Sequence, residues 1–185
     1  MKTSSTPSRR RFLGHGACWL VAGAALPLSA PARAAAPEAR TLSFDHTHTG
    51  EHLSLTYALG DTFVAPALER LNHFLRDHYS GEVGQMDPEL FHLLYRVRHA
   101  LGVQTPFQVI SGYRSPQTNE TLRTTRGGGV AKRSLHMDGK AIDVRVAGVP
   151  LEGLRDAALS LQVGGVGFYP REQFVHLDTG RVRHW

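Results

Sequence analysis

Apolar positions along this chain recur with two periods, and the switches between them mark out the elements. Leu42-Ser43-Phe44-Asp45-His46 alternates, Thr49-Gly50-Glu51 interrupts, and His52-Leu53-Ser54-Leu55-Thr56-Tyr57 alternates again. Period two on both sides of a turn predicts a β-hairpin. From Pro66 to Tyr79 the spacing of Leu68, Leu71, Phe74 and Leu75 becomes that of a helix with one apolar stripe. A second helix is bounded by its own chemistry: Asp87 caps it, Pro88 suits its first turn, Leu90, Phe91, Leu94, Val97 and Leu101 form its stripe, and Gly102 stops it. Residues 107–111 read as a strand, and Gly112-Tyr113-Arg114-Ser115-Pro116 turns out of it into a short polar helix ending near Arg126. Gly127-Gly128-Gly129 then reads as a flexible connector. Residues 140–146 alternate, with Ile142, Val144 and Val146 on one face and Ala141, Asp143 and Arg145 on the other. A helix over 151–161 and strands over 164–169 and 174–178, joined at Pro170-Arg171, complete the pattern. Their sum predicts an α+β fold, a small antiparallel sheet with helices packed on one side.

The first residues follow neither period. Ser8-Arg9-Arg10-Arg11-Phe12-Leu13 has the form of a twin-arginine export signal, and the apolar stretch from Ala17 to Leu28 is too short to span a bilayer. Ala32-Arg33-Ala34 offers small residues where a signal peptidase reads, so a cut after Ala34 is expected. This divides the chain into a signal peptide at 1–34, a flexible mature N-terminus at 35–40 and one domain at 41–185, with no stable membrane anchor once the signal is cleaved. Lys2, Arg9, Arg10, Arg11 and Arg33 leave with the leader and no acid does, which takes the formal charge from +5 to zero. The basic excess therefore belongs to the leader, and no nucleic-acid partner is expected. Cys18, the single cysteine, leaves too, so a metal site must be built from histidine and carboxylate.

Such a set is present in Ser134-Leu135-His136-Met137-Asp138-Gly139-Lys140-Ala141-Ile142-Asp143 and Phe174-Val175-His176-Leu177-Asp178. A catalytic zinc takes three protein ligands and keeps one position open. His136 at the mouth of a strand, Asp143 on that strand and His176 on a neighbouring one can converge on one Zn2+ per chain, with Gly139 turning the His136 loop back. Asp178, two residues beyond His176, shares its face and is the candidate general base, or else orients a ligand histidine from behind. Asp138, Glu172 and His184 are outlying choices for the base. His46, His48 and His52 surround the hairpin turn and are read as solvated side chains; His73, His78, His92 and His99 are placed on helices.

The spacing S-x-H-x-x-G-x-A-x-D with a later strand histidine resembles the zinc site of peptidases of the D-alanyl-D-alanine carboxypeptidase (M15) type. Within that group, Ser111-Gly112-Tyr113-Arg114-Ser115, the run from Gly164 to Pro170, and F-V-H-L-D-T-G with Arg183-His184-Trp185 are similar to the murein endopeptidase K family, over essentially the whole mature chain. The resemblance implies a hedgehog and DD-peptidase-like fold with the zinc site on the sheet, and His136, Asp143 and His176 as ligands. It also implies a periplasmic zinc metallopeptidase hydrolysing peptide cross-links in peptidoglycan. Arg114 would face the substrate carbonyl or carboxylate, or tie down its own turn. Many relatives carry an acid three residues before the last zinc histidine or a histidine two before it. Gln173 and Phe174 stand there instead, which keeps open a non-catalytic zinc-containing module that binds peptidoglycan.

Overall fold

The computed structural model describes residues 37–125 and 130–185. The leader, its cut and the Gly127–Gly129 connector lie outside the described residues. The chain order is β1 (Ala39–His46), β2 (His52–Leu59), β3 (Thr62–Phe63), α1 (Ala65–Phe74), α2 (Pro88–Leu101), β4 (Phe107–Ser111), α3 (Pro116–Thr125), β5 (Ala141–Val146), α4 (Leu151–Ser160), β6 (Gly165–Tyr169), β7 (Phe174–Asp178) and β8 (Arg183–His184).

The strands form one eight-stranded sheet in the order β3-β2-β1-β4-β5-β7-β6-β8. The expected small antiparallel sheet is thus larger and mixed: β1 pairs β4 in parallel, and β6 pairs β8 in parallel. The reason lies in the connections. The chain leaves the hairpin, makes α1 and α2, and only then returns to β1, a crossover long enough to bring β4 in with the same direction. The two-residue strands β3 and β8 are too short to show a period.

Two boundaries also move. Ala39 and Arg40, expected in a flexible end, belong to β1, and Glu38 beside them accepts from Tyr95 Oη at 2.6 Å. Helix α1 stops at Phe74 because Asp77 takes over the backbone: its Oδ1 accepts from the amides of Tyr79 (2.9 Å) and Ser80 (3.4 Å). An aspartate that bonds amides two and three residues ahead closes a turn and competes with helix. His78 therefore sits on a turn and not on a helix. Helix α2 ends as its sequence demands, with Asp87 accepting from Glu89 N at 3.1 Å and Gly102 left-handed at φ 66°.

The core lies on one face of the sheet. Phe44, Phe107, Val109, Ile142, Val144, Val175 and Leu177 pack there against Leu90, Phe91, Leu94 and Val97 of α2 and Leu154 and Ala158 of α4. Each large apolar side chain so buried contributes about 2 kcal/mol. The opposite face is polar. Asp143 pairs with His176 across β5 and β7, and the register irregularity between Val109 and Ser111 lets Ser111 pair with Asp143 while Val109 stays in the core. Helix α3 belongs to this second side, since its Leu122 lines the same cavity as Asp143. The expectation of helices on one side holds for those that cover the core, and α3 departs from it.

Candidate metal centre

Strand alternation places two of the expected ligands, and a turn supplies the third. Val144 and Ile142 point into the core, so Asp143 between them points out of it. The same parity in β7 sends Val175 and Leu177 inward and His176 outward. His136 arrives on the loop before β5, which is closed by Lys140 N to Leu135 O (2.9 Å) and Met137 N to Ser134 O (3.0 Å). Gly139 makes that loop possible in two ways. It is left-handed at φ 65°, and a Cβ there would run into the backbone carbonyl of Gln85. The loop is fastened from the far side as well, by Asp87 N to Gly139 O at 2.9 Å.

Three atoms face one another: His136 Nε2, Asp143 Oδ1 and His176 Nδ1, with separations of 3.2 Å (His136 to Asp143), 3.2 Å (His136 to His176) and 2.8 Å (His176 to Asp143). Four-coordinate zinc with ligand bonds of about 2.0–2.1 Å needs its donor atoms about 3.3 Å apart, so the triangle has the size one ion requires. Its chemistry fits as well. His136 Nδ1 is 2.7 Å from Gly112 O, which can only accept, so the proton sits on Nδ1 and Nε2 offers a lone pair. His176 Nε2 lies 3.2 Å from Asp178 Oδ2, so it donates there and leaves Nδ1 as the lone pair. Three acceptors aimed at one point repel unless a metal ion or a proton sits between them. Among the described residues, these three form the one group of histidine and acid side chains able to hold a metal ion.

The ionisation of the site follows from burial and contact. Burial pushes Asp143 up, but the imidazoles of His136 and His176 outweigh it and hold the carboxyl well below the usual range. Burial also lowers His136. It opposes charge on His176 too, but hydrogen bonds to Asp143 and Asp178 raise that ring to about 9. Without a metal ion the cluster thus keeps a proton on His176, and metal uptake displaces it.

Asp178 is placed behind His176, not beside the triangle. It is fully buried, and its Oδ1 accepts from Gly165 N (3.0 Å), Gly180 N (2.8 Å) and Arg183 Nη1 (3.0 Å), while Oδ2 takes Arg183 Nη2 (2.7 Å) and His176 Nε2. Burial alone would raise its carboxyl; these partners drive it far below the ordinary range. A carboxylate with every lone pair occupied, and on the far side of the ligand ring, is not positioned to take a proton from a water at the triangle. Of the outlying choices for the base, Glu172 lines the cavity above the triangle.

That cavity has a volume of about 310 Å³ and is walled on one side by Arg114 and on another by Tyr169, Phe174 and Trp185. Arg114 Nη2 lies 3.8 Å from Asp143 Oδ2 and 3.4 Å from Ser111 Oγ. Its backbone amide bonds His136 O at 3.2 Å, so the residue also braces the ligand loop. The aromatic wall depends on β8 and on glycine. Gly165 and Gly167 occupy the site face of β6, where a Cβ would strike Arg183 and Trp185 respectively. The indole lies in that gap, its ring centre 5.4 Å from His176, donating from Nε1 to Tyr169 Oη at 2.8 Å. Arg183 and Trp185 were visible beforehand only as part of a family likeness. The signal that could have assigned them was the Gly-Val-Gly alternation, which empties one face of a strand beside a ligand histidine.

The family model for peptidoglycan L,D-endopeptidase MepK matches residues 34–185. The chain belongs to that family of peptidases. Its relatives agree over nearly the full length: the peptidoglycan L,D-endopeptidase MepK of Escherichia coli (strain K12) is 45% identical over 178 residues, 96% of this chain and 97% of its own. A protein of Haemophilus influenzae named as a probable peptidoglycan L,D-endopeptidase MepK is 44% identical over 161 residues, 86% of each chain. Peptidases of this type are generally metal-dependent, and the triangle is a group that could hold a metal ion, with a polar cavity open above it.

Proposed function

We propose that the chain is a zinc-dependent peptidoglycan L,D-endopeptidase exported to the periplasm, where it hydrolyses peptide cross-links during wall remodelling. The observation that carries the zinc reading is the triangle of three donor atoms, with both imidazoles fixed from behind by partners that leave Nε2 of His136 and Nδ1 of His176 to face Asp143. Zinc held by His136, Asp143 and His176 would supply a Lewis acid for the scissile carbonyl and an activated water. Arg114, on the cavity wall, faces the developing negative charge of that carbonyl and opposes it with a fixed cation. Asp178 and Arg183 hold the His176 ring in the tautomer that presents Nδ1. Asp178 is therefore a positioning residue, and Glu172, the carboxylate on the cavity wall besides Asp143, is the acid within the cavity that can take up a proton.

The twin-arginine pattern of the first residues supports the export route, and the substrate lies outside the cytoplasmic membrane. No helix among the described residues is long and apolar enough to cross a membrane. With relatives named as endopeptidases that match 96% and 86% of the chain, the peptide-bond hydrolase is favoured over the module that only binds peptidoglycan. Incubating cross-linked muropeptide dimers with the purified protein and analysing the products by mass tests the reading. The dimers are expected to fall to monomers, the reaction to stop with a chelator and to return with zinc. Intact dimers after incubation with protein carrying stoichiometric zinc would overturn it.

A further inference from the structure

Two turns beside the metal site carry imidazoles that the triangle does not use. His46 ends β1 and is 2% exposed. Its Nδ1 accepts from the amides of His48 (3.2 Å) and Thr49 (3.4 Å), which bends the hairpin tip and turns His48 outward. The ring of His48 lies flat on that of His78, with centres 4.2 Å apart and planes 1° from parallel. Glu51 and Arg76 clamp the two turns together through a double contact of 2.6 and 3.0 Å. The stack is thus held from both sides, and its position follows from the fold more than from the rings themselves.

Its location relative to the chemistry is set by a second pair of bonds. Tyr113 N donates to Leu75 O at 2.8 Å and Ser115 N to Asp77 Oδ2 at 3.0 Å, so the two neighbours of Arg114 are tied to the two ends of the segment that leads into His78. The cavity wall therefore runs from Asp143 to Arg114, then to His78 and on to His48, and all four line the same space. His46 Nε2 and His78 Nε2 are both buried with no hydrogen-bond partner. A buried polar atom left unpaired costs stability, and of the two rings His78 is the one that lines the cavity, where a ligand can supply the partner. Burial and the His48 ring keep His78 down at about 4, so near neutrality it is an uncharged hydrogen-bonding group.

One guanidinium followed by two imidazoles suits a planar monoanion, in contrast to the several fixed cations that a phosphate attracts. The proposed substrate carries such a group. In a bond between an L-centre carbonyl and a D-centre amine, the D-centre bears its own free carboxylate, one carbon removed from the scissile nitrogen. We propose that His78 and His48, beside Arg114, form the subsite that receives this carboxylate and so selects cross-links in which it is free. The assignment rests on the endopeptidase reading and adds the origin of its selectivity.

The test uses the zinc-loaded protein and two soluble cross-linked dimers, one with the D-centre carboxylate free and one with it amidated. Wild-type kcat/KM is expected to be about tenfold higher on the free acid, the size of one hydrogen bond to a charged group. In His48→Ala, at the exposed hairpin tip, and in His78→Gln, that ratio is expected to fall towards one, mainly through KM on the free acid, with zinc content unchanged. Equal cutting of both dimers by the wild type, or an unchanged ratio in both variants, overturns the subsite while the endopeptidase reading stands. A zinc-loaded wild type that cuts neither dimer overturns that reading, and the subsite with it.

Discussion

Asp178 shows how one carboxylate is diverted from catalysis by its surroundings. Five donors converge on its two oxygens, and the Arg183 fork alone satisfies both. Replacing it with asparagine keeps the shape but removes the charge that holds the His176 proton on Nε2. Zinc affinity of Asp178→Asn is expected to drop by about 10- to 100-fold, as for other outer partners of ligand histidines, with circular dichroism unchanged. Metal titration against a competing chelator measures it. If affinity were intact and kcat alone collapsed, the aspartate would be acting on the proton of the reaction after all. The convergence of His136, Asp143 and His176 was legible in the sequence because strand parity and a glycine turn fix their directions. The role of Asp178 was not, since its parity is the same for a base and for a support, and the choice depends on Arg183, which reaches it from another strand.

At the scale of elements, the turn after α1 carries more of the site than its sequence suggests. The apolar spacing continues to Leu75, so the helix was expected to run on to Tyr79. Asp77 ends it by bonding amides ahead of it and by reaching across to Ser115 at the start of α3. Periodicity cannot see this, because a buried aspartate at 1% exposure is indistinguishable in one dimension from a solvated one. Burial would raise the Asp77 carboxyl, yet hydrogen bonds from Thr118, Ser115 and Tyr79 bring it down to about 2. A carboxyl depressed on folding adds stability above its unfolded value near 4, and this contribution is lost as pH falls towards 2. It amounts to about 2 kcal/mol. Unfolding free energies of the wild type and Asp77→Asn from urea titration are expected to differ by that order at pH 6 and to converge near pH 2. The helices α2 and α4 and the strands β4, β5 and β7 were all readable in advance, since each has its own period and its own end signals. The strands β3 and β8 and the two parallel pairings were not, because they arise from how distant segments meet.

At the scale of the molecule, the sheet separates a hydrocarbon layer on one face from a polar, buried cluster on the other. The cluster burdens the metal-free fold, because His136, Asp143 and His176 are withdrawn from water at 2%, 5% and 9% exposure with a proton on His176 as the link to Asp143. Bound zinc replaces that proton and engages all three side chains. The melting temperature is expected to rise on zinc loading and to depend on free zinc concentration, with a gain of about 2.7 kcal/mol at one hundred times the dissociation constant. Calorimetric scans with and without chelator measure this, and identical scans would place the metal elsewhere.

β5 and β7 each serve two environments at once, one on odd positions and the other on even. Adding or deleting a single residue within either strand would exchange them, sending Val144 or Val175 into the cavity and Asp143 or His176 into the hydrocarbon layer. Changes in chain length are therefore confined to the segments outside these strands. Drift in this lineage can reshape the rim of the cleft by insertion, but along β5 and β7 it can proceed only by exchange of one side chain for another.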